Sequence, residues 1–260
     1  MSEPGRVDLA GAKWAFGASL TGKRERDEDF VACEDFGGVR IGVLCDGMGG
    51  GKSGEMASEI AARGFLRGIG SLLGKRPVWW ELEEKRRDAY AKLVEKCHDA
   101  VCSMAGGAGI SGTTLTAIVA SYDNGTLGFV DLIHIGDSRC YEVCSGAPRL
   151  VTRDHSVTGD MVRAGYIEIH EIEETSGRNT LTRNIGDENR SMADISTLEL
   201  EGNCCFLLCC DGVWGPLHGK SGFWGLGDFC SQHSADEIVT ESIKRGSTDN
   251  CSVLILRLLA

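Results

Sequence analysis

Two apolar runs in this chain stop on Asp-Gly, and a third lies just behind an aspartate. Ile41-Gly42-Val43-Leu44-Cys45 runs into Asp46-Gly47, Phe206-Leu207-Leu208-Cys209-Cys210 runs into Asp211-Gly212, and Ser247-Thr248-Asp249-Asn250 precedes the final apolar stretch. A carboxylate at a strand end is held by rigid backbone yet faces a cleft, and glycine after it lets a carbonyl or a water approach closely. Asp-Gly by itself commonly marks no more than a turn. Several such carboxylates brought together would repel unless cations lay between them. Oxygen-only ligands select hard ions such as magnesium or manganese.

The spacing of apolar residues says how the chain could bring them together. Strand-like runs cover Trp14 to Leu20, Phe30 to Glu34 and Val39 to Cys45. Two helical stretches follow, one with Ser53 as N-cap and the other from about Trp79 to Met104 with Tyr90, Leu93, Val94 and Cys97 on one stripe. Strand patterns return over Thr113 to Ser121, Thr126 to Ile135 and Cys140 to Cys144, then at Leu198 to Leu200, Cys204 to Cys210 and Ser252 to Leu258. A further helix is expected over Ala235 to Lys244. Strands grouped with hairpin-length gaps, and helices also grouped, favour antiparallel sheets covered by helices over a βαβ alternation.

Composition narrows the function. A net charge of −11 and a pI near 5.1 exclude nucleic acid or an anionic membrane as the main partner, because phosphate-backbone binding needs clustered Lys and Arg. No apolar run approaches the ~20 residues of a membrane span, and no secretory signal opens the chain. The twelve cysteines include no Cys-x2-Cys pair, and the doublets Cys204-Cys205 and Cys209-Cys210 sit in an apolar run. They are read as reduced core filler in a cytoplasmic protein.

Two glycine motifs mislead. Gly51-Lys52-Ser53 resembles the end of a phosphate-binding loop, but the required upstream glycine is Asp46, which would repel a triphosphate. Gly49 to Gly54 formally fits the dinucleotide fingerprint, yet no second strand with an acidic end follows at ~20 residues.

The remaining element is Arg24-Glu25-Arg26-Asp27-Glu28-Asp29. With it the chain resembles the type-2C family of metal-dependent protein phosphatases over nearly its whole length. The matching segments are Arg24 with Glu28-Asp29, Asp46 to Gly50, Ser111 to Thr114, Gly136-Asp137-Ser138-Arg139, Thr152 to Ser156 with Arg178-Asn179 and Leu181 to Arg183, Asp211 to Trp214, and Asp249-Asn250. The resemblance implies an α+β fold, a four-layer α-β-β-α sandwich of two antiparallel sheets flanked by pairs of helices. It implies a single catalytic domain over 1–260, with a leader at 1–12 and a flap at 154–184.

The same resemblance implies the chemistry. Asp46 bridges two magnesium or manganese ions, the Gly47 carbonyl is a ligand, and Asp211 and Asp249 complete the first shell. Glu28 and Asp29 act through water or hydrogen bonds, Asp137 helps hold a weaker third ion, and Arg24 binds the substrate phosphate. A water activated between the ions then attacks phosphorus in phosphoserine or phosphothreonine of a protein substrate, with a serine/threonine kinase as opponent and the phosphatase a monomer. No cysteine nucleophile in a Cys-x5-Arg loop is read here. Met48 stands where many relatives carry a proton-donating histidine, which leaves that role to a metal-bound water. Gly215 stands where an acidic residue is frequent. The flap and the loop from Gly215 to Gly227 are expected to set specificity. A catalytically inactive scaffold or regulator is the alternative, but a scaffold has no physical need for Arg24, Asp46, Asp211 and Asp249 in one cleft.

Overall fold

The computed structural model describes residues 5–49, 52–74, 78–104, 111–144, 148–187, 192–200, 202, 204–217 and 230–258. The strands of the first half are β1 (Val7–Asp8), β2 (Ala15–Leu20), β3 (Phe30–Asp35), β4 (Val39–Cys45), β5 (Gly47–Met48), β6 (Gly112–Thr113) and β7 (Leu115–Asp123). Those of the second half are β8 (Thr126–Ile135), β9 (Arg139–Val143), β10 (Arg149–Leu150), β11 (Asp194–Leu198), β12 (Cys204–Cys209) and β13 (Cys251–Leu258). The helices are α1 (Lys52–Leu73), α2 (Glu83–Met104), α3 (Val157–Arg163), α4 (Asp211–Leu217) and α5 (Gln232–Lys244).

Six strands form one sheet in the order β1-β3-β4-β7-β8-β11, and five form another in the order β10-β9-β12-β13-β2. Among the described residues every strand pairing is antiparallel except β1 with β3. The leader therefore enters the sheet: Val7 and Asp8 pair with Val31 and Ala32.

Period-two alternation sorts the side chains into layers. In β4, Ile41, Val43 and Cys45 join a core with Ala57, Ala61, Phe65 and Ile69 of α1 and Tyr90, Leu93 and Val101 of α2. Leu44 instead faces the five-stranded sheet, in a core with Leu254, Leu256 and the α5 residues Ala235, Ile238 and Val239. The sheets approach so closely at Gly42 that a Cβ there would lie 2.6 Å from Leu256 Cδ1. The result is the expected α-β-β-α order, with α1 and α2 on one side and α4 and α5 on the other.

A buried ion pair pins α2 to its sheet. Arg86 Nε donates to Asp131 Oδ2 at 2.7 Å, and Tyr90 donates to the same oxygen at 2.9 Å. Thr197 Oγ1 donates to Asp131 Oδ1 at 2.5 Å, and the Arg86 guanidinium lies 3.6 Å from the Phe129 ring centroid. Removing one member of such a pair costs about 3–5 kcal/mol, because the other charge stays buried.

Several boundaries differ from expectation. α1 starts at Lys52, so Ser53 lies inside the first turn rather than ahead of it. A short 3-10 turn, Val78–Glu81, precedes α2, and Trp80 is buried with its ring edge-on to Tyr90. β11 lies four residues earlier than expected, and its pairing with Val130 to His134 of β8 needs no apolar run.

The cysteine reading is corrected for four residues. Cys144, the residue after β9, faces Cys204 of β12 with Cα atoms 4.4 Å apart, the spacing of a non-hydrogen-bonded pair, and the two form a disulfide. Cys205 forms a second one with Cys230. Strand register brings these thiols together, which spacing along the chain does not reveal. Seven of the eight free cysteines are buried, as core filler should be. Cys251 and Arg257 do carry the Cys-x5-Arg spacing, contrary to the sequence reading. They lie along the extended strand β13, ~20 Å apart, so they form no phosphate loop. Among the described residues no helix is long and apolar enough to cross a membrane.

Protein purified without reductant, unfolded and alkylated, should gain eight adducts in its intact mass, and twelve after reduction. Twelve adducts under both conditions would remove the disulfides.

Candidate metal centre

The site starts from the loop between β2 and β3, which carries Arg24, Glu28 and Asp29. Asn250, one residue before β13, holds this loop. Its Nδ2 donates to the Thr21 and Arg26 carbonyls, both at 2.9 Å, and its Oδ1 accepts the Glu28 N–H at 2.9 Å. Asp27 supports it from beneath. The buried carboxylate accepts Ser19 Oγ at 2.6 Å, the Asp29 N–H at 3.0 Å and the Arg6 N–H at 3.2 Å.

Asp46 follows β4 and is clamped by the segment Ser111 to Thr114. Its N–H donates to Thr114 Oγ1, and its carbonyl accepts the Thr114 N–H and the Thr113 hydroxyl, all at 2.9 Å. Gly47 is obligatory next to it, since a Cβ would lie 2.3 Å from the Gly54 carbonyl and 2.4 Å from that of Glu28. Asp211 follows β12 and opens α4, a seven-residue helix.

These elements deliver Arg24, Glu28, Asp46, Gly47, Asp137, Asp211 and Asp249 to one cavity of about 400 Å³. Met48 and the flap residues Asn179 and Leu181 also line it. Asp29 does not; it lies behind the floor, 1 % exposed, with Oδ2 lacking a hydrogen-bond partner. Asp249 Oδ2 accepts from Arg24 Nη2 at 2.6 Å, an ion pair on the open lip.

The electrostatics are those of a site built for cations. Burial first, and then Asp29, Asp211, Asp137 and Asp249, push Asp46 well above the ordinary carboxylate range. Burial together with Asp27 does the same to Asp29, and burial with Asp211 does it to Asp137. Asp211 rises to about 6 through burial and the Asp249 charge. An orphaned buried oxygen and carboxyls that raise one another's pKa fit divalent cations, which would stabilise the ionised forms.

The flap is anchored at both roots. His155 N–H donates to the Gly136 carbonyl at 2.7 Å, Thr182 N–H to the His155 carbonyl at 2.9 Å, and Ile185 exchanges two 2.9 Å bonds with Thr113. His155 Nδ1 accepts the Gly136 N–H at 3.2 Å, and its Nε2 lies 3.2 Å from Asp194 Oδ2. The adjacent Asp154 pairs with buried Arg139 at 2.7 Å. That guanidinium lies 3.6 Å from the Trp214 ring centroid, and Trp214 Nε1 donates to the Asp137 carbonyl at 2.9 Å. One chain of contacts thus joins the flap root, α4 and Asp137. Inside the flap, Ser156 caps α3 by accepting the Gly159 N–H.

Glu173 of the flap, paired with Arg178, approaches Gly215; a Cβ there would lie 3.1 Å from Glu173 Oε1. The flap thereby supplies a carboxylate beside the glycine that lacks one. Residues 218–227 of the expected specificity loop lie outside the described residues. Sequence reasoning assigned no role to Asn250, Thr114 or Glu173, and it placed Cys210 only in the core. The Asp-Asn and Thr-Thr pairs were the available signals for the first two.

An α-β-β-α sandwich with strand-end carboxylates converging in a cleft beside a flap defines the metal-dependent phosphatase class. A family model for protein phosphatase 2C matches residues 16–245, and the chain belongs to that family. It is 28% identical over 243 residues to a putative protein phosphatase 2C-type of Streptococcus pyogenes, covering 90% of this chain and 92% of that protein. The crystal structure of the PPM Ser-Thr phosphatase MsPP from Mycobacterium smegmatis, in complex with cacodylate, superposes with a TM-score of 0.76 at 26% identity, covering 94% and 97% of the two chains. The catalytic domain of the serine/threonine protein phosphatase PstP, in complex with two manganese ions, shares the fold with a TM-score of 0.72 at 23% identity over 95% and 98%.

Asp211, with a pKa raised from 3.8 to about 6, binds its proton more tightly folded than unfolded. Its contribution to stability is full below pH 3.8 and lost as pH rises through about 6. In cation-free buffer, raising the pH from about 4 to about 7 should therefore lower Tm more for wild type than for Asp211→Asn. Manganese should restore the wild-type Tm at the upper end. Parallel pH profiles by calorimetry would contradict this.

Proposed function

We propose that this chain hydrolyses phosphoserine and phosphothreonine in proteins, with two magnesium or manganese ions held by Asp46, the Gly47 carbonyl, Asp211 and Asp249. Glu28 and Asp29 support the pair through water or hydrogen bonds, and Asp137 with Asp211 offers a weaker third position. The observation that carries this reading is the convergence of Asp46, Asp137, Asp211 and Asp249 with Arg24 in one cavity. Divalent cations bound there lower the pKa of a coordinated water and neutralise charge on the phosphoryl group.

The chain's own groups do the rest. Arg24 stands on the lip, paired with Asp249 at 2.6 Å, with a planar fork that suits phosphate oxygens. Met48 lines the cavity without an exchangeable proton, so the leaving alkoxide takes its proton from water. Asn179 and Leu181 bring the flap over the cavity, where a phosphopeptide would lie between flap and lip. The matched relative from Streptococcus pyogenes is named as a phosphatase, and the PstP structure holds manganese, both of which support the reading. An opposing serine/threonine kinase, a monomeric state and a cytoplasmic location go with it.

Manganese-dependent hydrolysis of p-nitrophenyl phosphate and of phosphoserine and phosphothreonine peptides, abolished by EDTA, tests the assignment. Asp46→Asn and Asp249→Asn should each lower kcat/KM more than ~100-fold, the upper end of what losing an outer-shell partner costs, with the fold intact by circular dichroism. Wild-type turnover by Asp46→Asn at saturating manganese would refute it. Arg24→Ala should raise KM for phosphopeptide ~10-fold or more, as loss of a charged hydrogen bond requires. An unchanged KM would remove Arg24 from the phosphate site.

A further inference from the structure

The apolar core between the two sheets stops short of the cavity. Ile118 and Ala120 of β7 and Val130 and Leu132 of β8 belong to it, and period-two alternation puts Thr116 and His134 next on the same face. Both are buried, and they are register partners across β7 and β8. Asp194 of β11 stands opposite His134 on its other side. Apolar packing alone has no use for a hydroxyl and an imidazole in that row.

The imidazole holds the root of the flap. His134 Nε2 lies 3.0 Å from the Arg153 carbonyl, and the ring lies against His155 with centroids 4.8 Å apart. Burial, with His155 adding to it, pushes His134 down to about 4, so the ring is neutral near pH 7. A carbonyl only accepts, which puts the single ring hydrogen on Nε2 and makes Nδ1 an acceptor. The donor that meets Nδ1 is the Thr116 hydroxyl, at 3.0 Å. That hydroxyl has one hydrogen and a second acceptor within reach, the Ser138 carbonyl at 3.3 Å. Ser138 Oγ in turn bonds Thr114 Oγ1 at 2.8 Å, and Thr114 Oγ1 accepts the Asp46 N–H at 2.9 Å.

We propose that His134 is a positioning residue for the hydrolysis, coupling the root of the flap to the backbone that presents Asp46. The inference deepens the phosphatase reading and rests on it. The Thr116 hydroxyl is the element with two settings. With the flap seated on the sheet, the imidazole takes its hydrogen. When the Arg153 segment lifts and draws the ring with it, the hydrogen turns to the Ser138 carbonyl. That turn loads the residue which follows Asp137 and whose side chain bonds the Thr114 clamp. A seated flap and a firmly held Asp46 favour the same setting, so whatever fixes one steadies the other.

Amide hydrogen exchange on the full chain, with and without manganese, reads this coupling without turnover. Relative to amides of α2, manganese should slow exchange of the His155 and Thr182 amides by about 5-fold or more in wild type, and by less than about 2-fold in Thr116→Val. Substitution also separates the two ends of the imidazole. His134→Gln keeps a donor for the Arg153 carbonyl, and should hold KM for phosphopeptide while kcat falls ~10-fold. His134→Asn keeps an acceptor for Thr116, and should raise KM while holding kcat. Adding Thr116→Val to His134→Gln should cost nothing more, because that hydroxyl has already lost its acceptor. Equal flap exchange in wild type with and without manganese, which needs no variant to fold, would overturn the relay. So would additive losses in the double variant, or kcat, KM and Tm worsening in parallel in every variant. Manganese-dependent protection of the flap in a wild type that shows no turnover would sink the phosphatase reading and support the relay.

Discussion

The structure is organised around a repulsion. Asp29, Asp46, Asp137 and Asp211 are packed where burial and mutual charge raise the pKa of each. Left to themselves, such groups would move apart into water. They are held by bonds that do not involve the carboxylates: the Thr113-Thr114 clamp on the Asp46 backbone, the Asn250 clamp on the Arg24 loop, and the helix that starts at Asp211. The apolar cores on either side of the six-stranded sheet supply the stabilisation that offsets the strain. Cation affinity follows from that conflict.

Two buried arginine–aspartate pairs divide the structural work. Arg86 with Asp131 locks α2 against β8 and β11, remote from the cavity. Arg139 with Asp154 sits where the flap leaves the sheet, in contact with Trp214 of α4. The second pair connects whatever happens in the flap to the backbone of Asp137.

Most of the sheet framework was legible because long apolar runs have few alternatives. β4, β7, β8, β12 and β13 lie close to where hydrophobic pattern places them. β11 was shifted because Asp194-Ile195-Ser196-Thr197 has little apolar content, and its place beside β8 is set by the backbone ladder and the Thr197–Asp131 hydrogen bond. α3 was missed because seven residues of flap carry no helical periodicity, and its signal was the cap at Ser156. Of the site residues, the strand-end aspartates and Arg24 were readable from position and family pattern. Glu173 beside Gly215 was not, since a residue forty-two positions upstream supplies the carboxylate.

Local chemistry along the chain was enough to determine that rigid strand ends would carry aspartates, that glycine must follow Asp46, and that the layers would be antiparallel sheets under helices. Only the tertiary structure decided which side chains share a space. Register at the ends of β9 and β12 brought Cys144 and Cys204 together as a disulfide, and the packing of the two sheets brought an Asp46 carboxylate oxygen within 4.8 Å of the Cys210 sulfur. The reason is that apolar periodicity specifies the face a residue takes, while partners across strands are chosen by register, which one sequence does not encode in its spacing.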